Sequence, residues 1–123
     1  MIIFLSYASE QRDVAEQTKL ALAASGHKVF YDRHSLPVGD EYHRRIRTAV
    51  EESEAFVFLI SPQSIAQGCY ALTELKYARE KWPDPRDKVL PVTVERTEYR
   101  HIPPYLKAIT VLEPQGSFGG NSC

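Results

Sequence analysis

The stretch GCYALTEL, residues 68–75, holds one acid in an otherwise apolar and neutral run. Glu74 follows Tyr70 by four residues, and Leu72, Leu75 and Ala78 around it look like the buried stripe of a helix. At about 100° per residue, Ala71, Leu75, Ala78 and Trp82 share one side of that helix, and Glu74 falls on its shoulder beside Tyr70 and Tyr77. A carboxylate there is expected to be partly desolvated, which makes it a candidate acid or base. The structural alternative is a surface pairing of Glu74 with Lys76 or Arg79. Other reactive residues make weaker cases. Cys69 lacks a positioned base and reads as a small packing residue. His27, His34, His43 and His101 are scattered without metal-ligand spacing, so no metal is expected. No Gly-x-Gly-x-x-Gly follows the first apolar run and no Gly-Lys-Ser/Thr loop is present, which excludes both common phosphate-gripping turns.

The elements that must position Glu74 alternate between apolar runs and amphipathic runs. Residues 2–6, IIFLS, form a continuous apolar strand of the kind buried in a parallel sheet. Ser9 is placed to cap the helix that follows, with Glu10 in its first turn, Gly26 as its stop, and Val14, Thr18, Ala21 and Leu22 on its inner face. HKVFYD (27–32) predicts a second strand, and RHSLPVGD (33–40) a loop rich in turn formers. A second helix should start near Asp40, turning Tyr42, Ile46, Ala49 and Val50 inward. AFVFLIS (55–61) is the clearest strand, closed by Pro62. A third helix carries Glu74 and runs to about Trp82; KVLPVTV (88–94) and AITVLEP (108–114) predict a fourth and a fifth strand. This alternation predicts an α/β class: a flavodoxin-like three-layer sandwich with a five-stranded parallel sheet, order 2-1-3-4-5, and helices on both faces. One domain over residues 1–114 is expected, with 115–123 as a flexible tail or a linker to a further domain.

Composition bounds the function. With 15 basic against 16 acidic side chains, no field is available to select nucleic acid or an anionic membrane. Two cysteines, Cys69 and Cys123, make no disulfide framework and suit a reducing compartment. The opening MIIFLSY has no basic flank and is too short for a signal core, and no run is long enough to span a membrane. A cytoplasmic location is expected. In open parallel sheets ligands bind beyond the carboxyl ends of strands where the order reverses, here between strands 1 and 3. That crevice would be walled by residues 7–9 and by the segment from Ser61 onward, which leads to Glu74.

Three boxes in series carry a family resemblance. IFLSYASEQRD resembles the first box of Toll/interleukin-1 receptor (TIR) domains. VFYDRHSLPVGDEYHRRI is similar to their second strand and long loop, and FVFLISPQSIAQGCYALTEL to their third strand, Ser-Pro turn and Trp-Cys-x-x-Glu-Leu segment. The resemblance covers residues 2 to about 95. It implies a flavodoxin-like sheet and one of two roles. Many animal members are signalling adaptors that associate and catalyse nothing, whereas many bacterial and plant members, and an animal axon-degeneration enzyme, cleave NAD+ at the nicotinamide–ribose bond. In the enzymes the catalytic residue is the glutamate four places after an aromatic, kept here as Tyr70 and Glu74. Tyr stands where Trp is usual, and the cysteine precedes the aromatic instead of following it.

By match to the family pocket, Tyr7, Ala8 and Ser9 would line the nicotinamide and ribose side, and Arg12, one turn into the helix, would either approach phosphate or stand as a solvated helix residue. Asp32 ends the second strand; Leu36 and Gly39 belong to a loop that covers the pocket and packs on a neighbouring subunit. The expectation is therefore an NAD+ glycohydrolase with NAD+ as substrate and no separate cofactor or metal. It would release nicotinamide with ADP-ribose or a cyclic isomer, be activated by TIR–TIR self-association, and serve as an effector beside a sensor or oligomerisation domain in bacterial antiphage immunity. A non-catalytic TIR interaction module is the alternative. A phosphoacceptor receiver is disfavoured, because Tyr7–Ala8 and Ser61–Pro62 stand where its acids belong.

Overall fold

The computed structural model describes residues 1–30 and 40–107. The elements run β1 (Ile2–Ser6), a 3-10 turn (Ser9–Gln11), α1 (Arg12–Ala24), β2 (Lys28–Phe30), α2 (Asp40–Glu52), β3 (Ala55–Ile60), α3 (Tyr70–Lys81), β4 (Val89–Thr93), a second 3-10 turn (Tyr99–His101) and α4 (Pro104–Lys107). Among the described residues the sheet has four strands, all parallel, in the order β2-β1-β3-β4. The expected fifth strand (108–114) and the tail (115–123) lie outside the described residues.

Strand alternation divides the core into two layers. Phe4 of β1 and Phe56, Phe58 and Ile60 of β3 face one way, onto Tyr42, Ile46 and Val50 of α2 and Ala71, Leu75, Tyr77 and Ala78 of α3. Ile3 and Leu5 of β1 and Val57 and Leu59 of β3 face the other way, onto Val14, Ala15 and Leu22 of α1. Helices therefore cover both faces, and the inner strands β1 and β3 are buried along nearly their whole length, apolar but for Ser6 at the end of β1. The register sets Phe4 opposite both Phe30 and Phe56, so three rings stack in a row across the sheet, with centroids 5.1 and 5.3 Å apart. Each such pair adds about 0.5–1.5 kcal/mol beyond the area it buries.

Helix ends account for the chain's turns. After α1, Gly26 adopts φ +93°, and the amides of Gly26 and His27 bond the carbonyls of Ala23 and Leu22. Only glycine takes that conformation without a Cβ penalty, so the helix stops there. At the other end the expected Ser9 cap does not form. Ser9 opens the 3-10 turn, Gln11 precedes α1, and neither the turn nor the helix has a side-chain cap bond. Ala21 is also exposed instead of inward. The buried stripe of α1 is centred near Ala15, Val14, Thr18 and Leu22, which leaves Ala21 at its edge. The C-terminal carbonyls of α2 are held by Lys81, whose ammonium donates to Val50 O (3.2 Å), to Ser53 O (2.6 Å) and to Glu51 O. Among the described residues, no helix is long and apolar enough to cross a membrane.

Candidate functional site

Glu74 lies near the N-terminal end of α3 and is 0% exposed. It is fully buried, not partly desolvated as its place on the helical wheel suggested. A wheel sees one helix, and among the described residues two other elements reach Glu74. Ser6, the last residue of β1, donates its hydroxyl to Glu74 Oε1 at 2.6 Å. Tyr42, in the first turn of α2, donates its phenol to Glu74 Oε2 at 3.2 Å. Lys76 and Arg79 are exposed and form no ion pair with it, so the surface-pairing alternative is not realised.

Desolvating a carboxylate is costly unless hydrogen bonds replace its water, and both of its oxygens are met. The two bonds differ. A hydroxyl–carboxylate bond of 2.6 Å has the length of a strong, charge-assisted contact, whereas 3.2 Å lies beyond the usual O–H···O range. The parity of β1 directs Ser6 to this site. Ser6 follows Phe4 by two residues and shares its face, towards α2 and α3.

Aromatic rings surround the carboxylate on its outer side. The Tyr42 ring packs against Tyr70 with centroids 4.9 Å apart and planes tilted by 51°. Tyr42 is buried, and Tyr70 is 51% exposed. Beyond them the His43 ring nitrogen Nδ1 and the Tyr77 hydroxyl are 2.8 Å apart, and the Arg47 guanidinium lies over the Tyr77 ring at 4.9 Å. From Glu74 outward, burial thus falls along one line of side chains, Glu74, Tyr42 and Tyr70.

The other sequence-predicted residues separate into three groups. Tyr7 is fully buried among Ile3, Leu5, Ala15, Val57 and Leu59, on the α1 face of the sheet and opposite to Glu74. Its ring packs in that layer because odd residues of β1 and of the chain just after it point to that face. Ala8 is buried beside it, while Ser9 and Arg12 are exposed, with Arg12 the first residue of α1. Asp32, Leu36 and Gly39 lie outside the described residues. Sequence reasoning missed Ser6 as a partner and read Tyr42 only as an inward packing residue. The available signal was a hydroxyl at the end of an apolar strand, in phase with Phe4.

An open cleft of about 570 Å³ lies past the carboxyl ends of β3 and β4, lined by Pro62, Ile65 and Ala66 on one side and by Arg96, Thr97 and His101 on the other. It is one strand removed from the crevice expected between β1 and β3, and Glu74 does not line it. Next to it the Gln11 amide donates to Glu95 Oε1 at 2.8 Å, tying the 3-10 turn after β1 to the segment after β4.

Comparisons with known proteins agree with this architecture. The chain is similar to the TIR domain of the Toll-related receptor TRR-2 from Hydra magnipapillata, with TM-score 0.71, 20% identity, and coverage of 90% of this chain and 82% of that one. It is also similar to the TIR domains of the activated Roq1 resistosome, which directly recognises the pathogen effector XopQ. There the TM-score is 0.62 at 24% identity, over 75% of this chain and 56% of that one. At these identities the likeness is one of fold. No curated protein matches the chain. The family model for the TIR domain matches residues 3–117, nearly the whole sequence. With that match and a parallel sheet in the order β2-β1-β3-β4, the chain belongs to the TIR-domain family.

Proposed function

We propose that this TIR domain is an NAD+ glycohydrolase in which Glu74 is the catalytic carboxylate. The observation that carries the reading is a fully buried acid, held by the Ser6 hydroxyl at 2.6 Å, at the position where the family resemblance puts the catalytic glutamate. The chemistry suits one carboxylate. Nicotinamide leaves from a cationic ring, so its departure as a neutral molecule needs no general acid. The bond from ribose C1′ to the ring nitrogen breaks with its electron pair going to nitrogen. An oxocarbenium-like ion remains, which a fixed carboxylate stabilises in a low-dielectric setting. Water then attacks C1′ and loses a proton, giving ADP-ribose; attack by an adenine nitrogen of the same molecule gives a cyclic isomer.

Further residues fit around that centre. Tyr70, half exposed above Tyr42, offers a ring face to nicotinamide or ribose. Arg12 is an exposed cation at the start of α1, suited to a substrate phosphate. Tyr7 and Ala8 support the β1 end from the core, and Ser9 stands exposed beyond them. Leu36 and Gly39 enter as members of the family's covering loop, and Asp32 as the acid that the resemblance puts at the end of the second strand. Self-association through TIR–TIR contacts would rearrange the cover over Glu74 and so switch on the reaction, in an effector role in bacterial antiphage immunity within the cytoplasm.

The alternative is a non-catalytic TIR–TIR interaction module. The observation in its favour is the complete burial of Glu74, which makes it a fully bonded link between β1, α2 and α3. Nicotinamide release from NAD+, measured at high protein concentration for wild type and Glu74→Gln, separates the two. Release by wild type alone supports the enzyme. Silence of both, with the domain also fused to an oligomerising partner, supports the module.

A further inference from the structure

Glu74 is bonded asymmetrically, and the asymmetry has a consequence for how substrate reaches it. Ser6 ends β1, an inner strand, pairs with Phe58 of β3, and is itself 0% exposed. Its 2.6 Å bond to Oε1 therefore comes from one of the most constrained parts of the fold. Tyr42 belongs to the first turn of α2, where helix ends have the fewest backbone bonds to hold them. Its 3.2 Å bond to Oε2 is the longer of the two, and its ring leans on the half-exposed Tyr70. Glu74 has no exposed surface, so a substrate can meet the carboxylate only after what covers it withdraws. Of the two hydroxyls, Tyr42 is the one whose displacement breaks the longer bond, and it lies on the side of the half-exposed Tyr70.

We propose that Ser6 is a positioning residue that anchors Oε1, and that Oε2 is the oxygen presented to substrate, with the Tyr42 phenol as its exchangeable partner. This deepens the glycohydrolase reading and rests on it for the identity of the substrate. With Oε1 held, the carboxylate plane cannot rotate, and Oε2 faces the line of approach past Tyr42 and Tyr70. A ribose hydroxyl entering there donates to Oε2 in place of the phenol. Oε1 then keeps the Ser6 hydroxyl and Oε2 exchanges one hydroxyl donor for another, so neither oxygen loses a donor on binding. Ser6 touches no substrate in this arrangement; it acts through Glu74.

The test has one arm that needs no activity. The Glu74 carboxyl carbon, labelled with ¹³C and followed by NMR as pH is varied, reports which hydroxyls hold the ionised group. The other titratable group bonded to it is the phenol of Tyr42 on α2, and the carboxyl ¹³C signal is assigned by its loss in Glu74→Gln. Ser6→Ala should raise the carboxyl midpoint more than Tyr42→Phe does, because the stronger donor to the charged form is lost. In the second arm, nicotinamide release should show kcat falling roughly 10- to 100-fold in Ser6→Ala with KM little changed, the scale of a bond to a charged acceptor. Ser6→Thr, which keeps the hydroxyl, should recover most of kcat. Tyr42→Phe should lower KM by roughly fivefold, because a competing donor worth about one neutral hydrogen bond is gone.

Melting curves establish that each variant is folded; if Ser6→Ala is not, Ser6→Cys, a far weaker donor of similar size, takes its place. A carboxyl midpoint that does not move in the serine variant overturns the anchor whether or not the domain is an enzyme. A midpoint that moves while wild type releases no nicotinamide supports the anchor and removes the glycohydrolase reading. A moved midpoint with unchanged kcat, or a larger kcat loss in Tyr42→Phe than in Ser6→Ala, overturns the assignment of Oε1 as anchor and Oε2 as the presented oxygen.

Discussion

The hydroxyl of Ser6 and the carboxylate of Glu74, 68 residues apart in sequence, meet at 2.6 Å between the end of β1 and the start of α3. Tyr42 closes the other oxygen from α2, so one buried acid joins three elements. That linkage separates two substitutions at position 74. In Glu74→Ala, two donors lose their acceptor and a cavity remains, a loss of about 2–4 kcal/mol. In Glu74→Gln the amide oxygen can still accept from Ser6, and the amide nitrogen can donate to the Tyr42 oxygen, so the loss should be at most about 1 kcal/mol. Urea denaturation of both variants checks this. Equal losses would show that the hydrogen bonds contribute nothing beyond packing.

Lys81 should prove a structural lysine. Its ammonium meets three carbonyls near the end of α2, at Val50, Glu51 and Ser53, while its stem packs by Trp82 with Nζ 4.7 Å from the ring. Lys81→Met keeps the stem and removes the donors, and is expected to cost about 1–3 kcal/mol. Lys76→Met, at an exposed site on the same helix, serves as the reference and should lie within about 0.5 kcal/mol of wild type. Thermal unfolding of the pair distinguishes a general effect of charge from the cap.

Tyr105 gives the fold an alkaline limit. Its phenol donates to the Trp82 carbonyl, and folding raises its pKa from 10.0 to about 12, chiefly because burial disfavours the phenolate. A raised value means that the native state keeps its proton to higher pH than the unfolded chain does. The resulting stabilisation is complete below pH 10 and is lost as pH rises to about 12. In Tyr105→Phe the melting temperature should fall less steeply across that window, although the variant starts lower at pH 8. Parallel curves for the two proteins would exclude Tyr105 as the source.

Gly26 should resist substitution for a backbone reason alone. It has φ +93°, and nothing lies within 4 Å of where a Cβ would stand. Gly26→Ala therefore meets no clash, yet it should destabilise by about 1 kcal/mol through the left-handed conformation. Gly26→Asn, which tolerates that region better, should recover part of the loss. A neutral alanine variant in chemical denaturation would mean that the turn after α1 relaxes.

What the sequence determined by itself was the alternation of β1 to β4 with α1 to α3 and the face that most of their apolar residues take. Strand alternation in IIFLS and AFVFLI, and the stripe Tyr42, Ile46 and Val50, are local periodicities, and the two core layers follow them. The stop at Gly26 was legible because positive φ is a property of one residue type. The cap at Ser9 was not, since a polar residue before a helix can as readily open a 3-10 turn, and packing of the chain after β1 decides between them. The family boxes directed attention to Glu74, but only the tertiary structure decided its surroundings. Full burial, the strong bond to Ser6, the weaker one to Tyr42, and the removal of Tyr7 to the opposite face arise where β1, α2 and α3 converge. Those contacts span tens of residues of sequence, and helical or strand periodicity carries no information about which side chains meet across such separations.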